Sequence, residues 1–396
     1  MKYFLPLFFC VYSLTAQNDN LHLQEHILHI NDLSEKAFTS FIEEQLSETQ
    51  FILVGEQHGI KDVGEITNAI FNSAKPLGYT TLCIETDAVL AQKLKELALL
   101  DDPLPAAKAL DNAFPFAIPF YNSKDDYALF KNVVSHGGDI WGIDQTFMAQ
   151  FRLNFDHMVQ STQNNDLKEK LAPLKDRAMM AYKESIATKD FGKMFWLSYD
   201  EATHKELMDL STDSKEKEIL RQLWKTKEIY GYNSSKKYYK NNNVRGQLMK
   251  ENFTRYYREA LKHNALPKVI FKLGATHATR GLSMTNIYDV SNYVSELAVF
   301  NDKKSLHLMV GGITGEATVG NPFAENPIAP FDNTKQLPKE LQELLPSFTK
   351  KYTFIHLAPL REYAYGKRYS EAMKTFIFNF DLLVLVKDAT ALTPLN

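Results

Sequence analysis

The chain has 396 residues, 44% hydrophobic, 23% charged and 12% aromatic, an ordinary globular composition that excludes disordered, collagen-like and disulfide-scaffold classes. A net charge of −3 leaves no basic surplus, so the electrostatic footprint of a nucleic-acid binder is absent. At roughly 150 residues per domain the length suggests about two or three domains, and such a chain can bury a sizeable core without metal or disulfide staples.

Residues 1–16 read MKYFLPLFFCVYSLTA. Lys2 supplies a positive n-region, Leu5 to Leu14 an apolar stretch, and Ala16 a small residue suited to cleavage before Gln17. This is the pattern of a secretory signal peptide, too short to span a membrane. It predicts export to the periplasm or the exterior. Phe8 and Phe9 stand where a lipid anchor on Cys10 would need small residues. The mature chain then keeps one cysteine, Cys83, in the apolar run TLCIE, where a buried structural thiol is expected. No later stretch reaches about 18 uninterrupted apolar residues, so no membrane anchor is expected.

Short apolar runs then recur as candidate buried strands: FILV at 51–54, TLCI at 81–84, IWGI at 140–143, VIFKL at 269–273, LHLMV at 306–310 and LLVLV at 382–386. Helical periodicity separates the early ones. Lys61 to Ala74 places Val63, Ile66, Ile70 and Phe71 on one face; Asp87 to Leu100 and Lys124 to Ser135 follow. Continuous apolar strands alternating with helices predict an α/β fold with a mostly parallel central sheet flanked by helices. Past about 147 the strand signals vanish and long charged helical segments appear, which predicts an inserted all-helical lobe. The expected division is a leader over 1–16, a first part of the α/β core over 17–150, the helical insertion over 151–240 and the second part of the core over 241–396. NSSKKYYKNNN at 233–243 reads as a polar loop, GGITGEATVG at 311–320 as a turn, and AENPIAPF at 324–331 as a proline-marked loop.

Four strand candidates run directly into titratable residues: FILV into Gly55-Glu56-Gln57-His58-Gly59, TLCI into Glu85, IWGI into Asp144, and VIFKL into Gly274-Ala275-Thr276-His277. Ligands of open α/β sheets bind at the carboxyl ends of the parallel strands. Topology therefore predicts that Glu56, His58, Glu85, Asp144 and His277 share one rim. Glu56 and His58, two apart, project to the same side of an extended chain. The helix from near Lys61 then points its N-terminus at developing negative charge. Taken singly, a carboxylate after a strand is more often a helix cap or ion-pair partner than a catalyst. Five such groups at four strand ends together carry the functional reading. A helix from near Val244 places Arg245, Met249, Asn252 and Tyr256 on one face, with Arg245 and Asn252 either in the site or at the solvent edge of the stripe. The chain has no G-x-S-x-G elbow, no phosphate-binding G-x-x-x-x-G-K-[ST] and no H-E-x-x-H. His26 and His29 form an H-x-x-H that reads as structural.

These residues bear a resemblance. GEQHG followed by a helix and a strand ending in IET resembles the erythromycin esterase-like family, whose wider superfamily includes ChaN-type haem-binding lipoproteins and Tiki-type metallopeptidases. Further motifs resemble that group in order: FPFAIPFYNSKDDYALF at 114–130, WGID at 141–144, RGQLMKENF at 245–253, KLGATHA at 272–278 and FDLLVLVKDATALTPL at 380–395. The resemblance is collinear over about 50–396 and implies an α/β sheet with a helical lobe over the site. Two departures mark this chain. Only Gln57 separates Glu56 from His58, where the macrolide esterases have two residues. Gly274 stands where their second motif has its first histidine, so Gly-Ala-Thr-His resembles instead the G-x-x-H of the Tiki and ChaN branches. GEAT at 315–318 lacks the following His-Gly and reads as a chance echo of the first motif.

The expected chemistry is hydrolysis of a small-molecule ester or lactone by activated water, without a covalent nucleophile or a cofactor. His58 or His277 would be the general base, with Glu56 and Glu85 orienting it or one of them acting as acid. Arg245 would stabilise the oxyanion, and Asp144 and Asn252 would complete the catalytic set. Phe114, Phe116, Phe120 and Tyr256 would supply apolar contacts to substrate. Two alternatives use overlapping residues: a divalent metal held by His58, Glu85 and His277, making a metal-dependent hydrolase, or a non-enzymatic haem or iron binder.

Overall fold

The computed structural model describes residues 19–395. The expected leader, with Cys10, lies outside the described residues. Among the described residues ten strands occur in chain order: β1 (Ile27–Ile30), β2 (Thr49–Glu56), β3 (Tyr79–Ile84), β4 (Asp139–Gly142), β5 (Lys268–Gly274), β6 (Lys304–Gly312), β7 (Thr314–Thr318), β8 (Ile328–Asp332), β9 (Tyr352–His356) and β10 (Leu382–Val386). Eight of them form one sheet in the order β1-β9-β10-β6-β2-β5-β3-β4, and β7 pairs with β8 in a separate antiparallel hairpin. From β10 to β4 every neighbouring pair is parallel; only β9 runs against its neighbours. All six apolar runs read from the sequence are strands of this parallel block.

The reason is visible in β2. All eight of its residues are buried, as a central parallel strand requires when helices cover both faces. Alternate side chains feed two cores. Ile52 and Val54 join Ile84, Ile270 and Leu308 under the helices Lys61–Ala74 and Lys124–Ser135. Phe51 and Leu53 join Cys83, Phe271 and Leu273 on the opposite face, against Met249 and Phe253 of the helix Tyr238–Leu261 and Val294 of the helix Val290–Phe300. Between β4 and β5 the described chain is helical, and Phe151, Phe155, Leu167, Leu171, Phe195, Trp196 and Leu223 form a third apolar cluster there.

Three local expectations are corrected. The polar run 233–243 is not a loop: after a short turn at 235–237, the helix Tyr238–Leu261 begins six residues before Val244 and passes through the expected boundary at 240/241. Its Lys and Asn residues are compatible with a solvated first turn, and Asn241 Nδ2 donates to the carbonyl of Ile229 at 2.8 Å. Most of 311–320 is strand, the end of β6 and β7, and 324–331 is loop only as far as 327, after which β8 completes the β7–β8 hairpin. Their glycines and prolines mask this, because a two-stranded ribbon at the sheet margin tolerates residues that a central strand does not. Pro330 is itself an exposed residue of β8.

The closing segment after β10 ties this framework together. The Thr390 carbonyl accepts from Lys61 N at 2.9 Å, Leu392 N donates to the carbonyl of Gly59 at 3.2 Å, and the Thr393 carbonyl accepts from Lys124 N at 2.9 Å. The helices Lys61–Ala74 and Lys124–Ser135 are thereby pinned at their N-termini. At the sheet margin, β4 lies directly on the helix Ala88–Ala98: a Cβ on Gly142 would meet the Asp87 carbonyl at 2.2 Å and the Ala91 Cβ at 2.7 Å. Gly142→Ala should therefore lower unfolding free energy by about 1–3 kcal/mol through overpacking, read as a reduced denaturant midpoint.

Candidate active site

The strand ends converge as the topology requires. Glu56 closes β2, Gly274 closes β5, and Glu85 and Asp144 follow β3 and β4 within two residues. A cleft of about 580 Å3 opens over them, lined by Glu56, Gln57, His58, Glu85, Phe120, Asp144, Gln145, Phe147, Met148, Tyr230, Arg245, Gly274 and His277 among others.

Arg245 organises one side. Its Nε donates to Asp144 Oδ1 at 2.9 Å and its Nη2 to Asp144 Oδ2 at 2.5 Å, a bidentate grip; Nη2 also reaches Glu85 Oε1 at 2.7 Å. The second Glu85 oxygen accepts from Gly274 N at 2.5 Å. Burial raises the Glu85 carboxyl, but His277, Arg245 and His58 together pull harder, so it stays below the ordinary carboxylate range. Arg245 is raised in turn, the two carboxylates outweighing desolvation.

Each histidine has its own carboxylate. His58 Nδ1 lies 3.0 Å from Glu56 Oε1, and His277 Nδ1 lies 2.7 Å from Asp289 Oδ2, leaving both Nε2 atoms for other partners. His277 Nε2 stands 3.7 Å from Glu85 Oε1. Burial depresses both imidazoles; Glu56 overrides it at His58, and Glu85 with Asp289 overrides both burial and Arg245 at His277. The net shift is upward for both. Phe120 stacks on His58 with ring centroids 3.9 Å apart and an interplanar angle of 15°. Phe116 and Phe120 both have left-handed backbones, φ 62° and 66°. Such strain in bulky residues persists only where the surroundings impose it.

Beneath Glu56 lies Lys272, a buried lysine in β5. Its Nζ is 2.7 Å from Glu56 Oε2, 3.5 Å from Asp126 Oδ1 and 4.7 Å from the centroid of the Tyr121 ring. Burial lifts the Asp126 carboxyl to about 6 against the pull of Lys272. Burial also raises Glu56, but Lys272 and His58 more than compensate, and its pKa falls. The Tyr121 hydroxyl accepts from Glu85 N at 2.7 Å and donates to the Lys272 carbonyl at 3.0 Å, bracing β3 against β5.

The two glycines that flank the histidines are there for space. A Cβ on Gly274 would meet His58 Nε2 at 2.9 Å and Glu85 Oε2 at 3.2 Å. The imidazole of His58 thus lies directly over Gly274. Gly59, at φ 89°, would strike the Thr318 carbonyl of β7 at 2.2 Å if it bore a side chain.

Of the expected site residues, Glu56, His58, Glu85, Asp144, Arg245, His277 and Phe120 come together at the cleft. Four do not line it. Asn252 donates from Nδ2 to the Ile143 carbonyl at 2.8 Å, and Tyr256 stacks on Trp141 at 5.2 Å. Arg245, Asn252 and Tyr256 form one helical face riding on β4 and the residues after it, so only the residue nearest the strand's carboxyl end reaches the cleft. Phe114 packs against the core, and Phe116 sits behind Phe147, ring centroids 5.1 Å apart. Lys272, Tyr121, Asp126, Asp289 and Tyr230 were not singled out by sequence reasoning. The lysine interrupting VIFKL was the one legible signal, since a charge inside a buried strand demands a partner.

Among the described residues no group of three or more His, Cys, Asp or Glu side chains is placed to hold a metal ion. Of the three expected ligands, Glu85 has both oxygens engaged by Arg245 and Gly274. The cations at this centre are the guanidinium of Arg245 and the ammonium of Lys272. Nor, among the described residues, is any helix long and apolar enough to cross a membrane.

No family model and no curated protein matches the chain. Solved structures do. A Bacillus cereus protein is 14% identical with a TM-score of 0.59, covering 95% of this chain and 98% of its own. A succinoglycan biosynthesis protein is 13% identical with a TM-score of 0.60, covering 96% and 98%. An erythromycin esterase, EreC, in a histidine-to-asparagine variant captured in an open conformation, is 11% identical with a TM-score of 0.61, covering 93% and 99%. The chain therefore has the fold of an erythromycin esterase over nearly its whole length.

Two outcomes follow from these contacts. Lys272→Met strands two buried carboxylates and should cost about 3–5 kcal/mol of stability; adding Asp126→Asn should recover part of it, as read by chemical denaturation. For His277, the folded pKa lies above the ordinary 6.5, so the ion pair with Asp289 adds stability that is complete below that value and is lost as pH rises through the raised one. The pH-dependent part of the destabilisation in Asp289→Asn should accordingly be largest in acid and shrink above neutrality, checked by unfolding at a series of pH values.

Proposed function

We propose that the protein is an exported hydrolase of a small-molecule ester or lactone, acting through water activated by histidine and glutamate without a covalent intermediate. One observation carries this reading: two imidazoles, each with Nδ1 held by its own carboxylate, face one cleft beside a partly buried arginine. A base held in one tautomer by an orienting carboxylate is the arrangement general-base catalysis needs. The shared fold of a protein named erythromycin esterase supports the ester class, and the leader pattern at residues 1–16 supports export to the periplasm or exterior.

In this mechanism one imidazole removes a proton from the attacking water through Nε2. The other, protonated, delivers a proton to the departing alkoxide. Glu85, between the two histidines, balances the imidazolium that forms. Arg245, pinned by Asp144 and Glu85, is preorganised to donate to the developing oxyanion. Phe120 fixes the plane of His58, while Phe147 and Met148 give the cleft an apolar wall. The engaged oxygens of Glu85 favour this metal-independent route over the metal-dependent one.

A panel of chromogenic esters and lactones, with and without chelator, tests the proposal. His58→Ala and His277→Ala should each lose about 10²–10⁴-fold in turnover while circular dichroism stays native. Turnover should resist chelator. Its acid limb should lie above pH 6.5, because the base works only when neutral and both imidazoles are raised. Near-normal rates in both variants, or loss of activity to chelator, would reject the mechanism.

A further inference from the structure

Two carboxamides in the cleft have no part in the hydrolytic steps. Gln145 follows Asp144, lines the cleft and is only 8% exposed. Its side chain is hydrogen-bonded to the hydroxyl of Tyr230, yet its Oε1 is fully buried with no partner. A buried carboxamide oxygen without a donor is costly, and at a cleft wall a ligand hydroxyl can supply the missing hydrogen bond.

Gln57 shows the opposite polarity. Its Oε1 accepts from Gly312 N at 3.0 Å and from Asn333 Nδ2 at 3.3 Å. Asn333 is itself anchored, donating from the same Nδ2 to the Gly312 carbonyl at 2.9 Å. With its oxygen fixed, Gln57 keeps its NH2 as the group available to the cleft it lines. The β7–β8 hairpin, through the residue just after β8, thus orients a cleft donor.

One end of the cleft therefore lacks a donor and the other holds a spare one. A hydroxyl both donates and accepts. Gln57 follows β2 and Gln145 follows β4, three strand spacings apart in the sheet, or about 14 Å. A single hydroxyl cannot serve both.

We propose that Gln145 and Gln57 are substrate-binding residues that read separate hydroxyl groups, so that the substrate is an ester of a polyhydroxylated, sugar-like compound. This rests on the hydrolytic reading for the bond broken, but not for what binds. Gln145 Oε1 accepts from one substrate hydroxyl, and Gln57 Nε2 donates to another. Both act by binding, not by proton transfer.

Two matched acetates test it: methyl glucoside 6-acetate and cyclohexylmethyl acetate, alike in ring and bond but differing in hydroxyls. The native protein should favour the glucoside ester by about tenfold or more in kcat/KM, since a site built to bond a hydroxyl discriminates strongly against its absence. Gln145→Leu and Gln57→Glu, the latter keeping the anchored oxygen but losing the NH2, should each lower the ratio, and the double variant should bring it close to one. Equal turnover of both esters by the native protein, or a ratio preserved in Gln145→Leu, would overturn the proposal. Saturation-transfer NMR with methyl glucoside needs no turnover and keeps the two readings apart. Sugar binding lost in Gln145→Leu, with no ester hydrolysed, supports this proposal and removes the hydrolytic one. No sugar signal in the native protein, with cyclohexylmethyl acetate still turned over, does the reverse.

Discussion

The grip of Arg245 on Asp144 and Glu85 is the interaction on which the rest of the centre depends. It joins a helix of the long helical excursion to the ends of two adjacent parallel strands, with N–O distances of 2.5–2.9 Å. The guanidinium bridges the two carboxylates, gripping Asp144 through two hydrogen bonds and Glu85 through one, and with His277 and His58 it holds the Glu85 carboxyl below the ordinary range despite burial. It also leaves Glu85 beside His277, where a negative charge supports an imidazolium. Arginine suits the task because its rigid fork can engage two carboxylates at once and stays charged when buried.

A second cation performs a parallel service lower in the sheet. Lys272 is surrounded by Glu56, Asp126 and Tyr121, and a buried ammonium is tolerable only with such company. Its position follows from register: Lys272 pairs with Val54 on β2, two residues before Glu56. The side chain therefore reaches along the sheet face to the carboxylate that holds His58. One imidazole is thus oriented from the β2–β5 interior, while the other, His277, is oriented by Asp289 at the cap of the helix Val290–Phe300. Two independent supports let each ring be held without constraining the other.

The frame around this centre is built from features that look incidental one by one. Gly59 admits the close pass of Thr318, Gly274 admits His58, and the segment after β10 bonds to the turn after His58 and to two helix N-termini. Asn333, just beyond the hairpin, meets Gln57 from the far side. Phe120 is held in a left-handed conformation against His58. Burial confines the centre as well: Glu56, Glu85, Asp144 and Gln145 are each less than 9% exposed.

Much of this was legible in the residues alone, for physical reasons that can be named. Central parallel strands must be apolar on both faces, so FILV, TLCI, IWGI, VIFKL, LHLMV and LLVLV announce themselves, and topology then dictates that whatever follows them meets at one edge. That reasoning brings Glu56, His58, Glu85, Asp144 and His277 to one rim, and all five line one cleft in the structure. Marginal strands such as β1, β7, β8 and β9 carry no such requirement, and their histidines, glycines and prolines hid them. The helix bearing Arg245 was evident from its periodicity, but periodicity reports which residues share a face, not how far along that face the cleft extends; Asn252 and Tyr256 accordingly brace β4 instead of meeting substrate. Sequence by itself determined the six parallel strands, their rim and the titratable groups on it, because these follow from local patterns of burial. Only the tertiary structure decided the pairings — Lys272 under Glu56, Asp289 behind His277, Gln145 with a free oxygen — because partners 12 to 216 positions apart are selected by packing, which no local pattern encodes.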